Sequence, residues 1–236
     1  MPGALTTLPP TAIGGHRSSG LGSPDHPMRV MTRRAAGLHP GVWDDTARAE
    51  VATFFDGLAP EWHTRTSPER DAVVIDALAR GLSGRVGAGD VCVELGSGIG
   101  AYTAVLAQRW TRTLAVEVSF EMLLRAPRDI GHRVLADGSR LPLAAGAASA
   151  VVLVNCFLFP DEVDRVLAPD GVVVWVNSSG AETPIHLPPE DVVEALPGAW
   201  EGVQSGAGAG IWSVLWRNRH DAPGPARAAP HILDSP

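Results

Sequence analysis

The chain has 236 residues, of which 45% are hydrophobic and 19% are charged, and its net charge at pH 7 is −7. All 19 basic residues are arginine, which excludes chemistry that needs a lysine amine, such as a Schiff base. An acidic chain is also a poor match for nucleic-acid backbones, which reward clustered cations. The length allows one large domain or two small ones.

The two ends of the chain differ in composition from its centre. Residues 1–41 contain four arginines and one aspartate, many small polar residues and prolines, and few large apolar side chains. Such a segment buries too little apolar surface to offset the entropy of ordering it. We therefore predict a disordered leader at 1–41, a folded domain at 42–220 and a flexible tail at 221–236. Met1, Met28 and Met31 stay open as translation starts.

Cysteine content and hydropathy narrow the class of protein further. Cys92 and Cys156 cannot build a disulfide framework or a four-thiolate site, and both lie in apolar runs typical of buried thiols. No cluster of candidate ligands has metal-site spacing, so we predict no metal. No stretch approaches the roughly 20 apolar residues of a membrane span, and the N-terminus lacks the apolar region of a secretory signal. These features predict a cytoplasmic protein without membrane contact.

The folded part opens with two predicted helices. The first follows Asp44 and carries an apolar stripe with 3.6-residue periodicity. The second begins at Pro68, with Ser67 as its N-cap, and ends at Gly81. Both helices precede the first strand of the sheet predicted below.

Five apolar runs then alternate with helical segments. The runs are residues 91–95, 113–118, 132–136, 150–155 and 172–176, and the clearest helices are 101–110 and 160–167. A helix at 189–196 and an antiparallel pair at 200–204 and 211–217 complete the series. Near-continuous apolar runs are typical of strands covered on both faces. Strands that alternate with helices favour an open, mostly parallel α/β sheet.

The first strand runs directly into a glycine-rich loop. Glu94-Leu95-Gly96-Ser97-Gly98-Ile99-Gly100 precedes the helix that begins at Ala101. Glycines permit a tight turn and let a ligand approach the backbone, and the helix N-terminus offers free N–H groups to that ligand. In an open α/β sheet such a loop lies beyond the carboxyl ends of the strands, where ligands bind.

Two classes of cofactor fit this loop. Gly96, Gly98 and Ala101 satisfy the dinucleotide pattern, whereas Gly96, Gly98 and Gly100 satisfy that of S-adenosylmethionine sites. The acid at position 94 favours the second class, because a carboxylate repels a pyrophosphate and attracts the ammonium and sulfonium centres of S-adenosylmethionine.

Acidic residues also stand at the next two strand ends. Glu117 lies near the end of the second strand and Asp137 just after the third, so three neighbouring strand ends each carry a carboxylate. With Glu94, this row of acceptors matches the methionine, ribose and adenine parts of S-adenosylmethionine.

With these residues the chain resembles a known family, the class I, Rossmann-like S-adenosylmethionine-dependent methyltransferases. The resemblance covers about residues 50–217 and rests on five segments in order, which are 54–62, 91–100, 115–119, 136–142 and 165–171. It implies a doubly wound α/β domain with a seven-stranded sheet of order 3-2-1-4-5-7-6 and strand 7 antiparallel. It also implies in-line attack of a substrate nucleophile on the sulfonium methyl, with positioning as the main catalytic effect.

The resemblance implies a set of cofactor-binding residues. They are Glu94, Gly96, Ser97, Gly98, Gly100, Glu117, Val118, Met122, Asp137, Gly138 and Asn155. It places Glu117 on the ribose, Met122 beside the adenine and Asp137 on the exocyclic amine. Segment 54–62 looks like the helix that closes over the cofactor.

The acceptor side departs from the family pattern. Residues 155–160, Asn-Cys-Phe-Leu-Phe-Pro, follow the fourth strand and lack the N-P-P-[FY] motif of nucleic-acid amino methylases, which argues against that subclass. Asn155 either orients a substrate or hydrogen-bonds its own loop. His63 and His186 are candidate bases, because imidazole titrates near neutrality and both follow elements at the expected ligand end.

The sequence therefore predicts an S-adenosylmethionine-dependent methyltransferase that acts on a small molecule. We expect a monomer or homodimer with neither nucleic acid nor membrane as a partner. Two alternatives stay open. One is a methyltransferase-like protein that binds the cofactor without catalysis, and the other, less favoured, is an NAD-dependent oxidoreductase that uses the same loop.

Overall fold

A computed structural model describes residues 4–14, 22–84 and 89–218, and within these ranges eight strands form one sheet. The strands are β1 (Leu5–Thr7), β2 (Val91–Leu95), β3 (Arg112–Glu117), β4 (His132–Leu135), β5 (Ala148–Val154), β6 (Leu167–Asn177), β7 (Trp200–Ala207) and β8 (Gly210–Arg217). In the described ranges, no helix has the length and hydropathy of a membrane span.

Seven α-helices are described alongside the sheet. They are α1 (Pro27–Ala35), α2 (Asp45–Leu58), α3 (Pro68–Asp76), α4 (Thr103–Ala107), α5 (Phe120–Arg125), α6 (Pro160–Val166) and α7 (Pro189–Ala195). A 3₁₀ helix at Ala59–Arg65 extends α2, and a π turn at Ala77–Gly81 extends α3. The predicted N-cap of α3 is confirmed, since Ser67 accepts the N–H of Arg70. Asp44 caps α2 in the same way by accepting the N–H of Ala47.

The strand order is β1-β7-β8-β6-β5-β2-β3-β4. Counted from β2 to β8, it is the predicted 3-2-1-4-5-7-6, and β8 runs antiparallel to both of its neighbours. The sheet has one strand more than the predicted seven, because β1 pairs in parallel with the outer strand β7. The five strands β4, β3, β2, β5 and β6 run in parallel, so their carboxyl ends meet at one edge.

Side chains of the central strands point alternately to the two faces of the sheet, so the core has two layers. Val93 and Leu95 of β2 belong to the layer that also contains Trp175, whereas Cys92 belongs to the opposite layer with Leu106 of α4. Side chains two residues apart on a strand share a face. Glu94 therefore lies on the face that α4 covers, while the glycine loop that follows reaches the edge of the sheet.

The prediction of a disordered leader is wrong for residues 4–14 and 22–41. Leu5 pairs with Gly202 of β7, and Thr11 forms a further bridge to Ala207. Ala35 and Ala36, at the end of α1, are buried in the core. Composition misjudged this segment because its order comes from distant parts of the chain, through ladder bonds to β7 for residues 5–11 and through packing of α1 on the domain core. The remainder of the leader and the predicted tail at 221–236 lie outside the described residues.

A chain that lacks residues 1–41 is expected to lose at least about 2 kcal/mol of unfolding free energy, because it loses buried apolar surface and exposes the edge of β7. Urea denaturation followed by circular dichroism measures this loss. Thr6→Ala, which alters an exposed side chain of β1, is the control and is expected to keep the midpoint. An unchanged midpoint in the truncated chain would contradict the expectation.

Candidate active site

The loop between β2 and α4 is held in a conformation that requires glycine. Gly96 and Gly98 have φ angles of +70° and +55°, in the left-handed region that other residues rarely adopt. A Cβ at Gly96 would lie only 2.5 Å from the Sγ of Cys156. The N–H groups of Gly96 and Ser97 both donate to the carbonyl oxygen of Val116, at 2.9 and 3.0 Å. The loop is thereby anchored to the end of β3.

The carboxylate of Glu117 fixes the same loop from the other side. Its Oε2 accepts the N–H of Gly98 at 2.8 Å, and its Oε1 accepts those of Val118 and Ser119 at 2.9 and 2.8 Å. Burial raises the pKa of Glu117, and the three backbone N–H donors oppose that rise. Glu117 is thus a structural link between two strand ends as well as a candidate ligand-binding group.

Glu94 is the most deeply buried carboxyl group of the site. It is 3% exposed, and the hydroxyl of Thr103 donates to its Oε2 at 2.5 Å. Burial raises the pKa of Glu94 to about 7, and the nearby charge of Glu117 adds to the rise, whereas the Thr103 hydrogen bond opposes it. Glu94 therefore changes charge near neutral pH, and a bound cation would favour its ionised form.

Asp137, just beyond β4, has a partner that the sequence analysis did not identify. The indole N–H of Trp43 donates to its Oδ1 at 3.1 Å and, more weakly, to its Oδ2 at 3.4 Å. The N–H of Ser139 also donates to Oδ1, at 2.9 Å. A lone tryptophan in the loop before α2 gives no periodic signal, and only the folded chain brings it to Asp137.

The three carboxyl groups line one cavity, which holds about 1070 Å³ of empty space open to solvent. Ten predicted cofactor residues contribute to its lining, namely Glu94, Gly96, Ser97, Gly98, Glu117, Val118, Met122, Asp137, Gly138 and Asn155. The eleventh, Gly100, does not line it, and its position for a Cβ faces Pro127 instead.

The segment predicted to close over the site contributes two aromatic side chains. Phe55 and Trp62 line the cavity, and their rings meet edge to face with centroids 5.7 Å apart. The indole nitrogen of Trp62 lies 3.6 Å from the position of a Cβ on Gly98. Phe54, by contrast, is 45% exposed and does not reach this cavity. The segment therefore covers the glycine loop near Gly98.

A second cavity, with about 1880 Å³ of empty space that includes open solvent, adjoins the first. Residues that line both cavities form a common wall, and they are Phe55, Trp62, Arg65, Thr66, Arg70, Asn155 and Ile185. Apolar side chains such as Met28, Leu58 and Val73 line only the second cavity. A ligand in the second cavity is thus separated from one in the first by no more than a few shared side chains.

Asn155, at the end of β5, occupies a special position in this common wall. Its φ of +49° is the only positive value of a non-glycine residue in the described parts of the chain. Its Nδ2 donates to the hydroxyl of Ser178 at 2.8 Å, and its Oδ1 accepts the N–H of Ser178 at 2.9 Å. The amide thus bonds to the segment after β6 and not to its own loop, and it also borders both cavities. Its role in orienting a substrate stays a prediction.

The two candidate bases lie elsewhere. His63 is exposed on the 3₁₀ helix and lines neither cavity. His186, beyond β6, also lines neither cavity, and burial together with the positive charge of Arg29 lowers its pKa to about 4. In the described residues, no group of three metal-ligating side chains occurs.

Sequence reasoning missed other polar groups that line the cavities. The guanidinium of Arg70 donates to the hydroxyl of Ser179 at 3.3 Å and to the carbonyl oxygen of Arg65. Tyr102 lines the first cavity, and burial raises its pKa to about 12. The N-cap pattern at Ser67 predicted where α3 begins. Only the tertiary structure shows that the start of α3 faces the edge of the sheet where the carboxyl ends of the parallel strands meet.

Residues 93–175 match the family model of a methyltransferase domain. This central part of the chain is therefore similar to methyltransferase domains. Its fold is similar to that of a DhpI–SAH complex, with a TM-score of 0.56 and 20% identity over 71% of this chain and 95% of that one. A DhpI–SAM–HEP complex gives 0.52 and 20% over 69% and 94%.

The protein mmp1179 from Methanococcus maripaludis has the same fold, with a TM-score of 0.50 and 17% identity over 73% of this chain and 94% of that one. No curated protein matches the chain. The α/β fold and the family resemblance are thereby confirmed, and the glycine loop, β3 and the loop after β5 all lie within the matched methyltransferase domain.

Glu94 is expected to make the free protein less stable as pH rises from about 5 to 8. Its folded pKa of about 7 exceeds the ordinary value of 4.5, so the stability it contributes is complete below pH 4.5 and is lost as pH rises through 7. The loss is on the order of 3 kcal/mol at most. Urea denaturation at pH 5, 6, 7 and 8 measures it.

Glu94→Gln keeps the shape of the side chain and an oxygen for Thr103, and it is expected to flatten this pH profile. Glu121→Gln, on the surface of α5, is the matched control and is expected to follow the unaltered protein. Parallel profiles for the unaltered protein and Glu94→Gln would show that Glu94 does not titrate in this range.

Proposed function

We propose that the protein transfers a methyl group from S-adenosylmethionine to a small-molecule acceptor. The observation that carries this proposal is the pair of adjoining cavities at the carboxyl edge of the sheet. One cavity has the glycine loop and a row of three carboxyl groups, and the other has a mainly apolar lining. The common wall is where a transferred group would pass from one to the other.

Chemical features of the first cavity fit S-adenosylmethionine. The hydroxyl oxygen of Ser97 is buried and has no hydrogen-bond partner among the described residues, so a polar group of a ligand would satisfy it. Glu94 offers a carboxyl group whose ionised form a cationic ligand stabilises. Asp137 offers its Oδ2, which has only a long contact with Trp43, to an amine. A pyrophosphate would be repelled by the same carboxyl groups, which disfavours the NAD alternative.

S-adenosylmethionine, when bound, supplies a methyl group activated by its sulfonium. The protein then has to bind the two reactants, orient them and keep water away from them. Phe55 and Trp62 cover the glycine loop with apolar surface, and Asn155 is braced by Ser178 at the boundary between the cavities. Holding two reactants in line accounts for most of the rate effect in such a reaction. The proposal assigns no role to His63 or His186.

The second cavity supports a small acceptor. Its apolar lining includes Ile13 and Met28, from the two described N-terminal segments. Arg65, Arg70 and Glu69 are its charged residues, and the lining also offers hydroxyl groups. This combination suits a molecule with an apolar body and a polar group. Nucleic acid would need a larger cationic surface than two arginines provide.

Calorimetry with S-adenosylhomocysteine and with NAD tests the cofactor site. We expect the unaltered protein to bind S-adenosylhomocysteine and not to bind NAD. Gly98→Val is expected to abolish binding, because a branched side chain at φ +55° is strained and enters the space below Trp62. Gly146→Val is the matched control, since Gly146 also has a positive φ of +68° and open space around it but lines neither cavity. Normal binding by Gly98→Val would refute the role of the loop.

Transfer from S-adenosylmethionine with a labelled methyl group tests the acceptor class. We expect label in the low-molecular-mass fraction of a cell extract and none in its protein or nucleic-acid fractions. Met28→Trp, which fills part of the second cavity alone, is expected to reduce labelling at least about tenfold while the affinity for S-adenosylhomocysteine stays unchanged. Label in a macromolecular fraction, or cofactor binding with no label anywhere, would contradict the proposal.

A further inference from the structure

Trp43 is wedged at the end of the first cavity that Asp137 and Gly138 line. Its ring lies 5.5 Å from that of Phe157 and 4.9 Å from that of Phe159, measured between centroids, at interplanar angles of 52° and 67°. Phe159 in turn contacts the backbone of Gly138 so closely that a Cβ there would be 2.8 Å from the ring. The orientation of the indole is therefore fixed by packing on two sides.

The fixed indole determines which oxygen of Asp137 is available. Oδ1 already accepts two N–H groups, from Trp43 at 3.1 Å and from Ser139 at 2.9 Å. Oδ2 has only the long contact with Trp43, at 3.4 Å. An aspartate carboxylate rotates readily about its terminal bond unless neighbours hold it. Both donors hold the group so that Oδ2 is the oxygen left for a ligand.

We propose that Trp43 is a specificity-determining positioning residue, which orients Asp137 to accept the exocyclic amine of adenine. The inference rests on the proposed function, because it takes the ligand of the first cavity to be S-adenosylmethionine. It goes beyond that function by assigning the choice of base to a residue outside the strands and the glycine loop. Trp43 acts through Asp137 and touches no reacting atom.

The alternative is that Trp43 serves only as an apolar wall packed on Phe157 and Phe159. The two roles differ in their effect on the base. A wall would support any purine equally, whereas an oriented carboxylate oxygen favours a base with an amine over one with a carbonyl at the same place. S-inosylhomocysteine provides that comparison, because it carries a carbonyl oxygen in place of the amine of S-adenosylhomocysteine.

Trp43→Phe keeps an aromatic ring and removes the N–H donor. We expect its affinity for S-adenosylhomocysteine to fall about tenfold and that for S-inosylhomocysteine to change by less than about twofold, as measured by calorimetry. Trp62→Phe is the matched control, since Trp62 lines the same cavity but does not contact Asp137. It is expected to alter both affinities by the same factor. Circular dichroism checks that each variant is folded.

Asp137→Asn gives a second, independent comparison. The N–H groups of Trp43 and Ser139 both require an oxygen at the Oδ1 position, so the amide NH₂ would take the place of Oδ2 and face the base. The preference is then expected to reverse in favour of S-inosylhomocysteine. A retained preference for S-adenosylhomocysteine would overturn the inference.

Equal losses for both ligands in Trp43→Phe, or no loss for either, would likewise overturn the role of Trp43 and leave the proposed function standing. Failure of the unaltered protein to bind either ligand would instead refute the proposed function itself. Selective loss for S-adenosylhomocysteine in Trp43→Phe, with equal changes in Trp62→Phe, supports the inference.

Discussion

The buried carboxylate of Glu117 joins the backbone segments on which the first cavity depends. It accepts N–H groups from Gly98 of the glycine loop and from Val118 and Ser119 at the end of β3. The hydroxyl of Ser119 then donates to Asp56 of α2 at 2.5 Å. One connected set of hydrogen bonds therefore fixes the floor of the cavity and the helix above it. Such a network is strong only when each member is satisfied, because an unpaired polar group in a buried place is costly.

The same burial gives the site its chemical character. Glu94 lies in the interior at some cost to the free protein, since burial opposes its charge and raises its pKa to about 7. A cationic ligand would offset that cost, so affinity for the ligand and reduced stability of the empty site have one physical origin. The unpartnered hydroxyl of Ser97 belongs to the same pattern, because its missing hydrogen bond is one that a ligand can supply.

Local patterns in the sequence predicted the sheet and the loop, whereas contacts between distant residues were beyond them. Apolar runs and glycines in left-handed conformations are dictated by nearby residues, so the succession of strands along the chain and the position of the loop followed directly. The order of seven strands within the sheet was instead implied by the family resemblance. Residues 5–7 form the strand β1 only because they pair with the distant strand β7. The contact of Trp43 with Asp137 likewise spans 94 residues of sequence. The placement of His63, on the 3₁₀ helix after α2, and of His186, beyond β6, depends on tertiary contacts for which the sequence has no periodic signal.

The N-terminal segments, which precede the central sheet, contribute side chains to the lining of both cavities. Trp43 reaches Asp137 at one end of the first cavity, and Met28 lines the second cavity. Arg33 of α1 pairs with Asp191 at 2.6 Å, and Arg29 donates to the carbonyl oxygen of Thr183, which ties this helix to the loop after β6. The wall of the proposed acceptor cavity is therefore built by two elements that hold each other. Under the proposed function the glycine loop and strands bind the cofactor, so we expect selectivity for the acceptor to depend on the residues that line the second cavity.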